Sequence, residues 1–251
     1  MEVAILTVGD EILAGDTENT NASWIARQVT ARGATVARIL TVPDDAALIT
    51  ETVREWHDAF DAVVVMGGLG GTHDDVTMAA VADAFDRELV VEDAVAADVE
   101  ATARAYRENN PEQVETYEDD LHIDVEAWAS TPEGAEPLRN EVGLSPGCVV
   151  ESVYVFPGPP AELKAMFDTV ADRFGGDLVS RTLYTPAPEG AMGEVFAGLH
   201  DRFDVVVGSY AARGSTPNRV KLNARDEATL ADAVAWLRDN ADVADDPETL
   251  Q

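Results

Sequence analysis

The chain has 251 residues, with 48 Asp and Glu against 17 Lys and Arg, a formal net charge of −31, and so negative a field opposes non-specific attachment to nucleic acid or anionic lipid. No apolar run approaches the ~20 residues needed to cross a bilayer, and the amino terminus lacks the basic, then apolar, then small-residue order of a secretory signal. The single Cys148 excludes an internal disulfide and a cysteine metal cluster, so the expectation is a cytoplasmic chain with no nucleic-acid or membrane partner.

The acids are scattered along the whole length instead of forming a tail, which makes them a surface style and not a sign of disorder. Such surfaces resemble those of extreme halophiles, where concentrated salt screens the self-repulsion. Folding is therefore expected to need salt.

In chain order, Val3 to Val8 is an unbroken apolar run that reads as a buried parallel strand and ends at Gly9-Asp10-Glu11. After a polar segment, Ala22, Ile25, Ala26 and Val29 mark a helix that stops near Gly33. Thr35 to Val42 is a second strand closed by Pro43; Leu48, Ile49, Val53 and Trp56 line the next helix; Asp61 to Met66 is a third strand. This alternation predicts right-handed βαβ crossovers and an open parallel sheet covered on both faces, with the ligand crevice at the carboxyl ends of the strands.

The third strand runs into Gly67-Gly68-Leu69-Gly70-Gly71-Thr72-His73-Asp74-Asp75-Val76-Thr77, followed by Met78, Val81, Ala82 and Phe85 at helical spacing. Glycines let backbone approach a bound group closely, and the start of the helix favours an anion. Asp74 and Asp75 would repel a bare phosphate there, a conflict that disappears if they hold Mg²⁺ or another divalent cation bridging carboxylate to phosphate. Capping the helix accounts for one Asp and a tight turn for some of the glycines.

Glu88 to Asp124 is charged, with a helical stretch through Ala94 to Arg107 and no readable chemistry. A turn-rich region follows, then a strand over Val149 to Phe156 that ends at Pro157-Gly158-Pro159-Pro160, and a helix with Leu163, Met166, Phe167 and Val170 inward. Gly175-Gly176 reads as a boundary, giving domains over 1–175 and 176–251. Beyond it the order β, α, β, β, α predicts a small α+β domain of the split-βαβ kind, with an acidic, frayed tail over Ala241 to Gln251.

The motifs Gly9-Asp10-Glu11-Ile12-Leu13 with Thr20-Asn21, Gly67 to Thr77, Pro132-Glu133-Gly134-Ala135 with Asn140, Phe156 to Pro160 with Glu162-Leu163, and Val207 to Tyr210 lie in one order along nearly the full chain. In this the chain resembles the molybdopterin-binding fold family, most closely its CinA type, the amino-terminal domain of competence/damage-inducible proteins. The resemblance implies an α/β fold, a three-layer mostly parallel sheet, with the small carboxy-terminal α+β domain. It implies a nucleotide or pterin phosphate as ligand, and relatives that adenylylate molybdopterin, form part of FAD synthases, or hydrolyse ADP-ribose with a metal ion. By that likeness Asp10, Asp74 and Asp75 bind or position the metal and serve catalysis. Gly67, Gly68, Gly70, Gly71 and Thr72 cradle phosphate, Thr77 supports the loop, and Asn21 faces the ligand. Pro157 and Gly158, at a strand end, line the crevice or only shape a turn.

Two departures stand out. Gly71 occupies a position where CinA-type domains usually carry Pro, and the chain ends where full-length members continue into an amidase domain, so deamidation of nicotinamide mononucleotide is expected to be absent. Self-association as dimer or trimer is compatible with the likeness. The expected activity is metal-dependent hydrolysis of a nucleotide diphosphate linkage; the rivals are molybdopterin adenylylation and a binding module without catalysis. Among the other residues, His73 could donate to phosphate, Glu11 has no clear part, and Cys148 reads as a small buried hydrophobe. Lys164 and Arg139 could meet phosphate or pair with acids.

Overall fold

The computed structural model describes residues 1–71, 75–109, 124–211 and 217–250. The chain divides into two compact units, Met1–Ala31 with Thr35–Phe174, and Gly175–Gln251 with Arg32–Ala34. Among the described residues no helix is long and apolar enough to cross a membrane.

The first unit opens with β1 (Glu2–Val8), α1 (Asp10–Ala14), α2 (Thr20–Ala31), β2 (Thr35–Val42), α3 (Ala46–Ala59), β3 (Ala62–Met66) and α4 (Thr77–Ala84). It continues through β4 (Leu89–Val91), α5 (Asp93–Asn109), α6 (Val125–Ala129), β5 (Ser130–Pro132), β6 (Glu136–Leu138), β7 (Gly147–Val150), β8 (Val153–Phe156) and α7 (Pro160–Val170). One sheet has the order β2-β1-β3-β8-β7-β6. Its first four strands are parallel neighbours, and β7 and β6 are added antiparallel. Pro137 is tolerated in β6 because that strand sits on the edge, where a missing N–H breaks no second ladder.

Both faces of this sheet are covered over β1, β3, β7 and β8, which explains why these strands read as continuous apolar runs and not as alternation, whereas β2 at the edge is mostly exposed, Ile39 and Leu40 included. Ala4, Leu6, Val8, Val63, Val65, Val153 and Val155 face one way, against Ile49, Val53 and Trp56 of α3 and Ala80, Val81 and Ala84 of α4. On the other face α2 and α7 bring Ile25, Val29, Leu163, Met166 and Phe167, all essentially without solvent exposure. There Phe167 meets Trp24 edge-on at 5.4 Å and stacks on Phe174 at 5.2 Å, while Tyr154 lies 4.6 Å from Phe174. Each aromatic ring so buried contributes about 1.5–3 kcal/mol. The three-layer α/β fold with a mostly parallel sheet is as the residues predict.

The structure corrects two expectations in this unit. Val149 to Phe156 is not one strand: it is the hairpin β7–β8, broken at Glu151, whose φ of 51° lies in the left-handed region. Apolar residues flank the turn on both sides, so the run looks unbroken in sequence. The turn-rich region before it also holds β5 and β6, three residues each. Cys148 is fully buried, with Sγ 3.6 Å from Met78 Sδ, and burial pushes its thiol up to about 12.

The second unit contains β9 (Val179–Thr185), α8 (Gly193–Arg202), β10 (Val206–Tyr210), β11 (Asn218–Ala224) and α9 (Glu227–Asn240). The sheet order is β10-β11-β9 with β11 antiparallel to both neighbours, so β9 and β10 run parallel with β11 inserted between them. This is a split βαβ arrangement. Leu183, Val220, Leu222 and Ala224 face a core formed with Leu199, Leu230, Ala233 and Leu237. The tail is not frayed over its described part. Ala244 exchanges backbone hydrogen bonds with Tyr184, the Thr185 hydroxyl donates to the Asp242 carbonyl at 2.7 Å, and Asp245 pairs with Arg238.

Candidate functional site

In a parallel sheet the loops after successive strands converge at the carboxyl edge. Here the loops after β1, β2, β3 and β8 enclose a cleft of about 250 Å³. The β1 loop contributes Gly9, Glu11, Thr17 and Glu18, and the β2 loop Asp44; Gly67, Gly68 and Asp75 come from the β3 loop and Gly158 from the β8 loop.

The glycines are required by packing. Gly67 has φ +95°, and a Cβ there would stand 2.2 Å from the Val8 carbonyl oxygen. Gly68 has φ +64°, and its Cβ would meet Thr77 Oγ1 at 2.4 Å and Asp44 Oδ1 at 3.4 Å. The loop after β3 therefore lies directly on the end of β1 and the start of α4, with the Thr77 N–H donating to the Gly68 carbonyl at 3.1 Å. Thr77 is fully buried and its hydroxyl has no hydrogen-bond partner among the described residues.

α2 aims its amino terminus into the cleft. Asn19 caps it by accepting from the Ala22 N–H at 3.1 Å, while its amide donates to Thr7 Oγ1 at 3.0 Å and Thr41 Oγ1 at 3.3 Å. Thr20 and Asn21, in the first turn, line the wall, where the helix dipole favours an anion. The Asn21 amide donates to the Gly158 carbonyl at 2.7 Å, tying α2 to the loop after β8, and its Oδ1 is buried without a partner among the described residues.

Four carboxylates face this same space: Glu11, Glu18, Asp44 and Asp75. No Lys, Arg or His stands among its described lining residues. Asp44 is oriented by the Asp10 N–H, which donates to its Oδ2 at 3.0 Å. Among the described residues no three His, Cys, Asp or Glu side chains come together as a ready-made metal site. The donor set is nonetheless all oxygen, the chemistry of a hard cation. Mg²⁺ is commonly held by one or two carboxylates with phosphate oxygens and water completing its shell, and Asp44 and Asp75 fit that pattern.

The structure brings Asn21, Gly67, Gly68, Asp75 and Gly158 into one cleft. Asp10 is the exposed first residue of α1, outside the lining, and its described contribution is the backbone bond to Asp44. Gly70 and Gly71 lie further along the loop, outside the lining, where a Cβ would strike Asp75 Oδ2 at 2.3 Å and the Trp128 ring nitrogen at 2.0 Å respectively. Pro157 is buried and Thr77 sits behind Gly68. Thr72, His73 and Asp74 lie outside the described residues.

Other motif residues act structurally. Asn140, buried, donates to the Ser145 carbonyl and to Glu162 Oε2 and accepts from Val142 and Gly143. Arg139 pairs with an acid, Asp98, at 3.1 Å, as the alternative to phosphate expected, whereas Lys164 lies over the Trp24 ring at 5.7 Å.

The comparisons with known proteins bear on the family and the fold. The family described as "Probable molybdopterin binding domain" matches residues 4–175. A protein of Archaeoglobus fulgidus is 36% identical over 236 residues, 93% of this chain and 95% of its own length. A Desulforudis audaxviator protein with a competence-damage inducible name is 32% identical over 240 residues, 91% of this chain and 55% of its own length. Among solved structures, the protein CinA from Thermoplasma acidophilum, titled as of unknown function, superposes with a TM-score of 0.57 at 30% identity, covering 69% of this chain and 97% of that one. The chain belongs to the molybdopterin-binding domain family, in its CinA-like branch.

Proposed function

We propose that the cleft takes the phosphate groups of a nucleotide and, with Mg²⁺ or a similar divalent ion, hydrolyses a diphosphate linkage in the manner of an ADP-ribose pyrophosphatase. One observation carries the reading: the cleft joins a helix amino terminus and a close glycine backbone, both suited to phosphate, to four carboxylates and no basic side chain among its described lining. A polyanion entering such a site needs a cation to accompany it.

Asp44 and Asp75 would hold that ion, which supplies charge neutralisation and polarisation of the phosphoryl oxygens. The first turn of α2 offers its dipole to the phosphate, and Asn19 keeps that helix start fixed through Thr7 and Thr41. Gly67 and Gly68 let the loop pack against Val8 and Thr77, so that its backbone lines the cleft where a phosphate would lie. A water attacks one phosphorus, forming a P–O bond as the bridging P–O bond breaks, and ADP-ribose would yield AMP and ribose phosphate. The proton leaves to solvent or a cleft carboxylate.

The test is turnover of ADP-ribose with and without Mg²⁺, in wild type and in Asp75→Asn. Metal-dependent AMP release that is lost in a folded Asp75→Asn supports the reading; full activity in that variant removes Asp75 from it. A second reading is favoured by the family description, which names molybdopterin: adenylyl transfer to a pterin phosphate in the same cleft. ATP with and without molybdopterin, followed for pyrophosphate release, discriminates the two, and tight ligand binding with silence in both assays would make the chain a binding module.

A further inference from the structure

The second unit carries a surface of the opposite character. β11 alternates: Val220, Leu222 and Ala224 enter the core, so Arg219, Lys221 and Asn223 face away from it. The strand registers place Tyr210 and Tyr184 on either side of Arg219, and Gly208 and Thr182 on either side of Lys221. None of the three strands contains an Asp or Glu, although the chain has 48, and Lys221 is one of only two lysines. Neither Arg219 nor Lys221 forms an ion pair with a described residue.

Tyr210 gives this face a second feature. A Cβ on Gly208 would lie 2.9 to 3.2 Å from the Tyr210 hydroxyl and ring carbons, so the ring rests on the sheet over that glycine. It is 48% exposed, and the Arg219 guanidinium carbon lies 5.4 Å from its centroid. Two cations two residues apart on one strand are about 7 Å apart at the backbone and can converge on one diphosphate. A half-open aromatic ring beside them offers a stacking surface for a base.

We propose that this sheet face binds a nucleotide through its phosphates, Arg219 and Lys221 meeting the diphosphate and Tyr210 the base, as a site separate from the cleft. It is a charge complement: three strands that carry no Asp or Glu, bordered by Asp242 and Asp245 where Ala244 pairs with Tyr184 at the β9 edge, against a ligand that the net charge of −31 repels. Because its positive charge is built from side chains, binding here needs no divalent ion, which distinguishes it from binding in the carboxylate-lined cleft.

The experiment is ADP binding to the full chain by calorimetry in EDTA, at the lowest KCl that preserves the native circular dichroism. The expected result is saturable binding at one ADP per chain, weakened about tenfold by Lys221→Gln and again by Arg219→Gln, and unchanged in Asp44→Asn and Asp75→Asn. ADP should also bind more tightly than inorganic pyrophosphate, an advantage that Tyr210→Ala removes. No binding in EDTA up to millimolar ADP, undiminished binding in the double Arg219, Lys221 variant, or equal affinity for pyrophosphate would overturn the proposal. So would tighter binding of a short single-stranded oligonucleotide, which would make the face a nucleic-acid surface. Thermal melts of each variant separate lost binding from lost fold, and the outcome is independent of whether ADP-ribose is hydrolysed.

Discussion

The cleft of the first unit and the outer sheet face of the second, proposed here for the same kind of ligand, carry opposite chemistry. The cleft has four carboxylates, a helix amino terminus and glycine backbone; the face has an arginine, a lysine and a tyrosine with no acid on its strands. A phosphate can be held by charge brought in with it or by charge built into the chain. On the proposed reading, the first arrangement would make occupancy conditional on a metal ion, and the second would not.

The sharpest way to break this contrast is to remove a cleft carboxylate. Asp44→Asn and Asp75→Asn should each lower metal-dependent turnover about 100-fold, the usual cost of losing one electrostatic contact to the transition state, with the melting temperature unchanged. Activity that survives both substitutions would dissolve the cleft's half of the comparison. Gly68→Ala acts on the cleft through its backbone. With φ at +64° and Thr77 Oγ1 2.4 Å from the new Cβ, it should lose about 1–3 kcal/mol of stability by denaturant titration; an unaltered midpoint would mean that the loop has room the geometry denies.

Much of the cleft was legible in the sequence. The glycine loop, Asp75 and Gly158 follow strand ends that periodicity locates, whereas Asn21 is singled out only by the family resemblance. Asp44 was not legible, because Asp44-Asp45 after Pro43 reads as the start of the next helix, and Asp45 does cap α3 by accepting from the Leu48 N–H. The overlooked signal was topological: once β2 is laid parallel to β1, its trailing loop must end beside theirs. The basic face was hidden for a related reason. Arg219 and Lys221 alternate with Val220 and Leu222 as two isolated charges until strand register brings Tyr210 and Tyr184 alongside. The β7–β8 hairpin escaped because a two-residue turn at Glu151 and Ser152 carries neither glycine nor proline.

Salt sharpens the comparison by acting on the whole surface. With a net charge of −31, the chain should fold in molar KCl and loosen in dilute buffer. Cys148 reports on this, since burial raises its thiol to about 12 and keeps it protonated and inaccessible in the fold. A thiol reagent at pH 8 should leave it untouched in molar KCl and modify it in dilute buffer; protection at both salts would mean that the fold tolerates its own charge. The smallest expected effect concerns Glu136, held below the usual carboxylate range chiefly by its hydrogen bonds from Arg173. Its contribution is present above the ordinary carboxylate value and is lost as pH falls through the lowered one. Arg173→Gln should flatten that acid limb slightly, as fits a pair half open to water, and an unchanged limb would show the pair contributes nothing.

The central claim is that the cleft works on nucleotide diphosphates only with a metal ion, and ADP-ribose hydrolysis in molar KCl with Mg²⁺, scored for AMP and ribose phosphate, tests it most directly. The account predicts product that disappears with EDTA and in Asp75→Asn. A folded chain that releases no AMP, or releases it equally in EDTA, would contradict it.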